Sequence, residues 1–175
     1  MESQDAVADF ASWVRRFEKP LVAYAARILG DRDRARDVVQ DTFVHLERRL
    51  RAEREAVPTS WLFTVCRNRA LNICRKDRRL AFLDEAILET QPSASHGPAE
   101  QLEEKELGKF LMRIIATLPP RQQEALQLRF QNDLSYQEIG EITQSTANNV
   151  GVLIHTALKN LRARYHKDAR EFIEP

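Results

Sequence analysis

The chain has 175 residues, of which 43% are hydrophobic and 30% charged, with a formal net charge of +1. This balance supplies both a core and a solvated surface, so it excludes a wholly disordered chain. Only five glycines occur, and extended Val/Ile/Thr runs are missing, so we expect helices and no sheet, in one domain or two small ones.

Targeting and metal-binding signals are missing too. No apolar run approaches the ~20 residues that cross a bilayer, and the acidic N-terminus is not followed by a signal-peptide core. Cys66 and Cys74 are eight residues apart without a zinc-ligand spacing, so we expect buried thiols. The prediction is a cytoplasmic protein with no membrane insertion, no metal and no cofactor.

Two helices are predicted first. Apolar residues recur every three or four positions over residues 10–29, although Pro20 can break or kink this helix, and Gly30 ends it. Asp31 or Asp33 can cap a second helix. Its apolar face consists of Ala35, Val39, Phe43, Leu46 and Leu50.

A third helix is expected after a polar loop. The loop spans residues 51–60, contains Pro58 and ends in Thr59 and Ser60, which are good N-cap residues. The helix then runs from Trp61 to about Arg79. Residues 1–83 therefore form a predicted helical module.

The next segment, residues 84–106, changes in charge and composition. It contains seven acidic residues and only one basic residue, Lys105, and residues 91–98 favour a loop. We predict a flexible acidic linker here.

A helix-turn-helix is predicted in a second module, residues 107–175. A helix starts within residues 118–123, because proline is tolerated in a first turn. Ser135 and Glu138 have capping-box spacing before a short helix that ends at Ile142, and Thr146 closes the turn. The last helix has an apolar stripe of Val150, Ile154, Ala157 and Leu161.

Two helices carry residues suited to nucleic acid. In the helix-turn-helix, the polar face of the last helix favours DNA binding over an ordinary helical hairpin. Its members are Asn148, Asn149, His155, Lys159, Arg162 and Arg164. The third helix has six basic residues against Asp77, interleaved with Trp61, Phe63, Asn68 and Asn72, which favours single-strand contact over a solvated charged face.

An acidic stripe lies on the second helix, where Asp37, Gln40 and Asp41 are three and four residues apart. Taken alone, this stripe is typical of a solvated helix face. However, the surrounding segment 30–43 resembles the core-binding motif of bacterial sigma factors of the extracytoplasmic-function type, group 4 of the sigma-70 family. The resemblance continues through residues 58–72, 118–126 and 134–139, in order and with a linker between, so it covers nearly the whole chain.

This resemblance implies an all-α fold with a region 2 bundle over residues 1–83 and a region 4 helix-turn-helix over residues 107–175. It implies a non-enzymatic factor that directs core RNA polymerase to promoters. Asp37, Gln40 and Asp41 would contact polymerase, and the acidic linker would run through the enzyme. The melted minus-ten strand would be captured by Trp61, Arg67, Asn68, Arg69, Asn72, Arg75 and Lys76.

Recognition of minus-thirty-five DNA is less completely implied, because the last helix departs from its relatives. Gly151, Val152 and Leu153 replace a basic or hydroxyl-rich run, Thr156 replaces a common arginine, and Gln144 replaces a turn glycine. The resemblance therefore carries over the docking mode but no target sequence. Its candidate contacts are Arg129, Ser135, Asn148, Asn149, His155 and Lys159.

The family resemblance also implies an anti-sigma factor that holds the protein inactive until a stress signal.

Two other classes of protein fit less well. A response regulator needs an α/β receiver domain, which this pattern lacks. A protein-binding adaptor needs no basic cluster. An enzyme is disfavoured because His45, His96, His155 and His166 lie in separate segments without a paired nucleophile.

Overall fold

The structure is a computed structural model. It describes the backbone of residues 2–52, 57–83, 108 and 111–171, and the side chains of residues 10–52, 57–80, 108 and 111–165. Within these ranges it contains helices and turns and no strand, which confirms the predicted all-α class. The chain divides into two compact units, Met1–Ala94 and Ser95–Pro175. Most of the predicted linker, residues 84–106, lies outside the described residues, so the predicted domain bounds stay a prediction.

The first unit is a bundle of α1 (Glu2–Leu29), α2 (Arg32–Ala52) and α3 (Thr59–Leu83), each packed against the other two. α1 starts earlier than predicted and continues through Pro20. Buried Phe17, Leu21 and Tyr24 flank this proline, and their packing holds the helix on both sides of it. The ring of Phe63 joins α3 to this core, with centroids 5.6 Å from Tyr24 and 6.3 Å from Phe17.

The connections within the first unit follow the predicted capping chemistry in part. Gly30 has φ 71° and ends α1, a conformation that favours glycine. Asp31 caps α2, because its Oδ1 accepts hydrogen bonds from the N–H groups of Asp33 at 2.8 Å and Arg34 at 3.0 Å. The predicted loop 51–60 is shorter than expected, since α2 reaches Ala52 and α3 begins at Thr59. Residues 53–56 lie outside the described residues.

Within its described residues, the second unit contains four helical elements: α4, described over residues 111–116, α5 (Pro120–Phe130), α6 (Tyr136–Thr143) and α7 (Ala147–Glu171). The start of this module near Leu107 lies outside the described residues. α5 begins as predicted, with a proline in its first turn, and packs with α6 and α7. The predicted stripe of α7 is buried at Val150, Ile154 and Ala157 and half-buried at Leu161.

Candidate nucleic-acid interfaces

The predicted polymerase-binding residues lie on one exposed face of α2. Asp37, Gln40 and Asp41 are all exposed, while Val38 and Val39 between them are buried in the bundle. Gln40 also lines a groove between α1 and α2 that sequence reasoning missed. The groove walls are mainly apolar, formed by Phe10, Val14, Val22, Val39, Phe43 and Val44. An acidic and amide stripe thus borders an apolar groove on the same surface.

Asp41 is engaged by a residue from the other predicted interface of the first unit. Arg69 Nη1 of α3 donates a hydrogen bond to Asp41 Oδ2 at 2.7 Å. The Asp41 side chain is 65% exposed and that of Arg69 30% exposed. The pair therefore joins a residue predicted to bind polymerase to one predicted to bind DNA.

The predicted minus-ten residues of α3 do not all share one face. Trp61, Asn68, Asn72 and Arg75 follow three-, four- and seven-residue spacings, so they form one stripe along the helix. This stripe lies opposite the buried positions Leu62, Cys66 and Ala70. Arg69 and Lys76 flank it on one side, and half-buried Arg67 flanks it on the other. The structure therefore brings most of the predicted set to the outer surface of the bundle.

The single acidic residue of α3 is turned away from this stripe. Asp77 Oδ2 accepts a hydrogen bond from Arg34 Nη2 of α2 at 2.6 Å. This hydrogen bond raises the pKa of the Arg34 guanidinium. The charge of Asp77 is thus neutralised by Arg34 of α2. Because Asp77 lies away from the outer stripe of α3, that stripe contains no acidic side chain.

Neighbouring side chains hold two members of the stripe. The Arg49 guanidinium carbon lies 4.7 Å from the Trp61 ring centroid, a cation–π contact. Arg75 Nη2 donates a hydrogen bond to the side-chain oxygen of Asn72. The ring of the half-buried Trp61 is thus already in contact with a cation. Arg49 was not among the predicted site residues.

The two cysteines are free, and only one is fully buried. Cys66 lies in the core beneath the α3 stripe, and burial raises the pKa of its thiol to about 12, against smaller opposite effects of Thr42 and Arg69. Cys74 is half-buried, and its thiol donates to the Ile28 carbonyl at 3.4 Å. Among the described residues, no group of His, Cys, Asp and Glu is arranged to hold a metal ion.

In the second unit, α6 and α7 form the predicted helix-turn-helix. Ser135 caps α6 with the complete capping box, in which Glu138 N–H donates to Ser135 Oγ and Ser135 N–H donates to Glu138 Oε2. This engagement gives Ser135 a structural role at the position where we predicted a DNA contact.

The turn between α6 and α7 is tight. Gln144 adopts the left-handed conformation, with φ 55°, which is unfavourable for a residue with a β-carbon. At Gly140, an added Cβ would lie 2.7 Å from the Ser145 carbonyl oxygen. The turn thus depends on the absence of a side chain at Gly140 and tolerates a strained glutamine at Gln144.

The start of α7 is fixed by local hydrogen bonds. Asn149 N–H donates to Thr146 Oγ1 at 3.1 Å, which confirms Thr146 as the predicted cap. Asn149 Nδ2 donates to Ser145 Oγ at 2.7 Å, so this predicted DNA contact is also part of the turn. Asn148, His155 and Lys159 are exposed along one face of α7.

The supporting helix is linked to the same turn. Arg129 Nη1 donates to the Leu134 carbonyl at 3.0 Å, and its guanidinium carbon lies 5.6 Å from the Tyr136 ring centroid. Tyr136 in turn lies beside Gly151 of α7, where an added Cβ would be 3.5 Å from the ring. Sequence reasoning found Arg129 but not the Tyr136 contact that orients it.

Among the described residues, no helix combines the length and the apolar character that crossing a bilayer requires.

Comparison with known proteins bears on both units. Residues 13–80 match the family described as sigma-70 region 2, and residues 111–161 match sigma-70, region 4; together the matches cover more than half of the chain. The ECF RNA polymerase sigma factor SigM of Bacillus subtilis is 28% identical over 81% of this chain and 85% of its own length. The RNA polymerase sigma factor YlaC of the same organism is 26% identical over 98% of each chain.

Solved structures agree on the fold. The sigma factor RpoE from Bartonella quintana, solved in complex with the anti-sigma factor NepR, has a TM-score of 0.68 and 24% identity, covering 89% of this chain and 95% of that one. CnrH, solved in complex with the cytosolic domain of CnrY, has a TM-score of 0.61 and 20% identity, covering 95% of each chain. With both sigma-70 regions matched in order, the chain belongs to the sigma-70 family, as a sigma factor of the extracytoplasmic-function type.

Proposed function

We propose that this protein is a non-catalytic specificity subunit that binds core RNA polymerase in the cytoplasm and directs it to promoters with two-part recognition elements. The observation that carries this proposal is the pairing of a basic helix face in each unit with a separate acidic face on α2. The outer stripe of α3 lacks acidic side chains, and so does α7 over the part whose side chains are described, residues 147–165. Phosphate-rich DNA favours such surfaces, whereas the α2 stripe suits a basic protein partner.

The polymerase contact is proposed at the α2 stripe and the groove beside it. Asp37, Gln40 and Asp41 supply charge and hydrogen bonding, and the groove between α1 and α2 supplies apolar area. A partner helix with one apolar and one basic face fits this combination. Because charged pairs at a rim are screened by salt, we expect the association to weaken as ionic strength rises.

The minus-ten contact is proposed at the outer stripe of α3. Arg75 and Lys76 are exposed cations for phosphates, while the ring of Trp61 and the amide of Asn68 are suited to an unpaired base. Capture of flipped bases would offset the energy of opening the duplex, so the single strand is the preferred ligand.

The minus-thirty-five contact is proposed at α7, docked in the major groove as in other helix-turn-helix proteins. Asn148 has the amide that recognises adenine edges, and Lys159 lies on the same face. Arg129 is aligned by Leu134 and Tyr136 to support a phosphate contact from α5.

Regulation by an anti-sigma factor is part of the proposal. The solved RpoE and CnrH structures each include a partner protein, NepR and CnrY respectively. A partner that covers the α2 stripe or the α3 stripe would block polymerase or promoter binding until a signal releases it.

The direct test is run-off transcription from a promoter library, with purified core polymerase in the presence and absence of this chain. We expect transcripts only with the chain present, and enrichment of a motif with two separated elements. Failure of the full chain to bind core polymerase at low ionic strength would overturn the proposal.

A charge-reversal pair localises the docking surface. Asp37→Lys should weaken polymerase binding by about tenfold or more, because it places a cation where a basic partner is proposed. Glu141→Lys makes the same charge change at an exposed position of α6 in the second unit and serves as the matched control. Equal loss in both variants would contradict docking at α2.

A further inference from the structure

A valine is exposed on the face of α7 that is proposed to meet DNA. Val152 is 56% exposed, although it lies in the second turn of a helix with a buried side. It lies four residues after Asn148 and three before His155, both of which are exposed. A helix turns about 100° per residue, so these three side chains form one stripe.

This stripe points away from the core of the second unit. Val150 and Ile154 are buried, and each is two residues from Val152, about 200° around the helix. The neighbouring Gly151 has no side chain to cover the valine, and its position faces Tyr136. Val152 therefore lies outside the hydrophobic core of the second unit.

The surroundings of Val152 suit a polyanion. The segment from Ala147 to Tyr165 contains no acidic residue, while it contains Lys159, Arg162 and Arg164. The N-terminal end of α7, with its partial positive charge, is less than two turns away. The charge pattern therefore favours a nucleic acid over an acidic or neutral protein surface as the occupant of this face.

In the major groove, the apolar group that a valine can contact is the C5-methyl of thymine. We propose that Val152 is a specificity-determining residue that selects a thymine in the upstream promoter element through contact with this methyl group. The inference rests on the proposed function, in that α7 must dock in the major groove. It deepens that function by assigning base discrimination to an exposed apolar residue of α7.

The proposed contact makes α7 a reader of A·T pairs. Asn148, one turn earlier on the same stripe, has the side-chain amide that bonds adenine at N6 and N7. An amide and an isopropyl group that are adjacent on one stripe would meet neighbouring base pairs. We therefore expect the upstream element to contain a thymine on either strand next to an adenine contact.

The test uses holoenzyme assembled from core polymerase and the full chain. The upstream element is first selected from random duplexes, and each thymine in it is then replaced by uracil, which removes only the methyl group. We expect one uracil substitution to weaken binding by about fourfold, the effect of one buried methyl group. Val152→Ala should bind the thymine and uracil duplexes equally.

Met112→Ala provides the control, because Met112 is an exposed apolar residue of α4 that lies outside the proposed polymerase-binding and DNA-binding faces. It should keep the wild-type ratio between the upstream thymine and uracil duplexes. Circular dichroism of Val152→Ala should match the wild type, since the residue is outside the core.

The outcomes separate the inference from the proposed function. A selected upstream element in which no thymine is sensitive to uracil overturns the role of Val152 but leaves promoter recognition in place. Failure to select any upstream element overturns both. If Val152→Ala keeps the wild-type thymine preference but loses binding to an anti-sigma partner, Val152 contacts protein and the inference is wrong.

Discussion

The two units hold the helices that carry their candidate DNA-binding side chains by different means. In the first unit, ion pairs between helices hold Arg34 to Asp77 and Arg69 to Asp41. In the second unit, caps and a tight turn fix α6 and α7, through the Ser135–Glu138 box and the Thr146 and Ser145 contacts of Asn149. The first arrangement depends on charge and the second on backbone geometry.

Because the two units are held by different interactions, their stabilities should respond to different changes. Exposed ion pairs are weakened by salt and broken by a competing charge, so the α3 surface can exchange its internal partners for external ones. Hydrogen-bonded caps depend little on salt, whereas the turn geometry is sensitive to added atoms. The following changes would break or sharpen the contrast, from the largest expected effect to the smallest.

Adding a methyl group to the turn should destabilise the second unit alone. In Gly140→Ala the new Cβ would lie 2.7 Å from the Ser145 carbonyl oxygen, so the backbone must shift. We expect a loss of about 2–3 kcal/mol, typical of overpacking. Hydrogen exchange should locate the loss in α6 and α7. Gly108→Ala is the matched control, since nothing lies within 4 Å of its Cβ, and an equal loss there would contradict the steric explanation.

Alkaline pH should destabilise the first unit through Cys66. Its pKa is about 12 in the folded protein against an ordinary 9.0, so the stabilising effect is complete below pH 9 and is lost as pH rises toward 12. From neutral pH to pH 10 the thiol should account for a loss of about 1.4 kcal/mol. Denaturant unfolding of Cys66→Ala should lack this component. An unchanged pH profile in that variant would contradict the assignment.

Removing a strained side chain should stabilise the second unit. Gln144→Gly places glycine at φ 55°, where a β-carbon is unfavourable, and we expect a gain of about 0.5–1 kcal/mol, seen as a higher Tm. Gln137→Gly, inside α6, should instead cost up to about 1 kcal/mol. A destabilised Gln144→Gly variant would show that the glutamine side chain makes a contact worth more than the strain.

Breaking the exposed ion pair should have the smallest effect on stability. A double-mutant cycle of Asp41→Asn and Arg69→Gln should give a coupling of about 0.5 kcal/mol that falls with added salt, because both side chains are partly in water. The loss in Ser135→Ala, which removes a cap, should not depend on salt in the same way. Salt-independent coupling would contradict the electrostatic account of the first unit.

Local chemistry made much of this fold predictable. Asp31, Ser135 and Thr146 act as caps, and a proline starts α5, because each effect depends on residues within one turn. The apolar stripes also located the core of each unit. The roles assigned to the site residues stay predictions, although most of their side chains lie on exposed faces as expected.

Tertiary contacts were not predictable in the same way. Arg34 pairs with Asp77 across 43 positions of sequence, and Arg69 with Asp41 across 28, so neither pair follows from helix spacing. Phe130 is a large apolar residue, yet it is 60% exposed at the last position of α5. The α1–α2 groove likewise needs both helices in place before it exists.

The Asp41–Arg69 contact also bears on the order of events at a promoter. In the free protein, Asp41 and Arg69 neutralise each other's charge. This pairing should weaken non-specific binding of these two groups to DNA and to basic proteins. A polymerase that engages Asp41 would release Arg69 for phosphate at the moment when DNA is delivered. With such an exchange, binding of Arg69 to promoter DNA would depend on prior binding of the protein to polymerase.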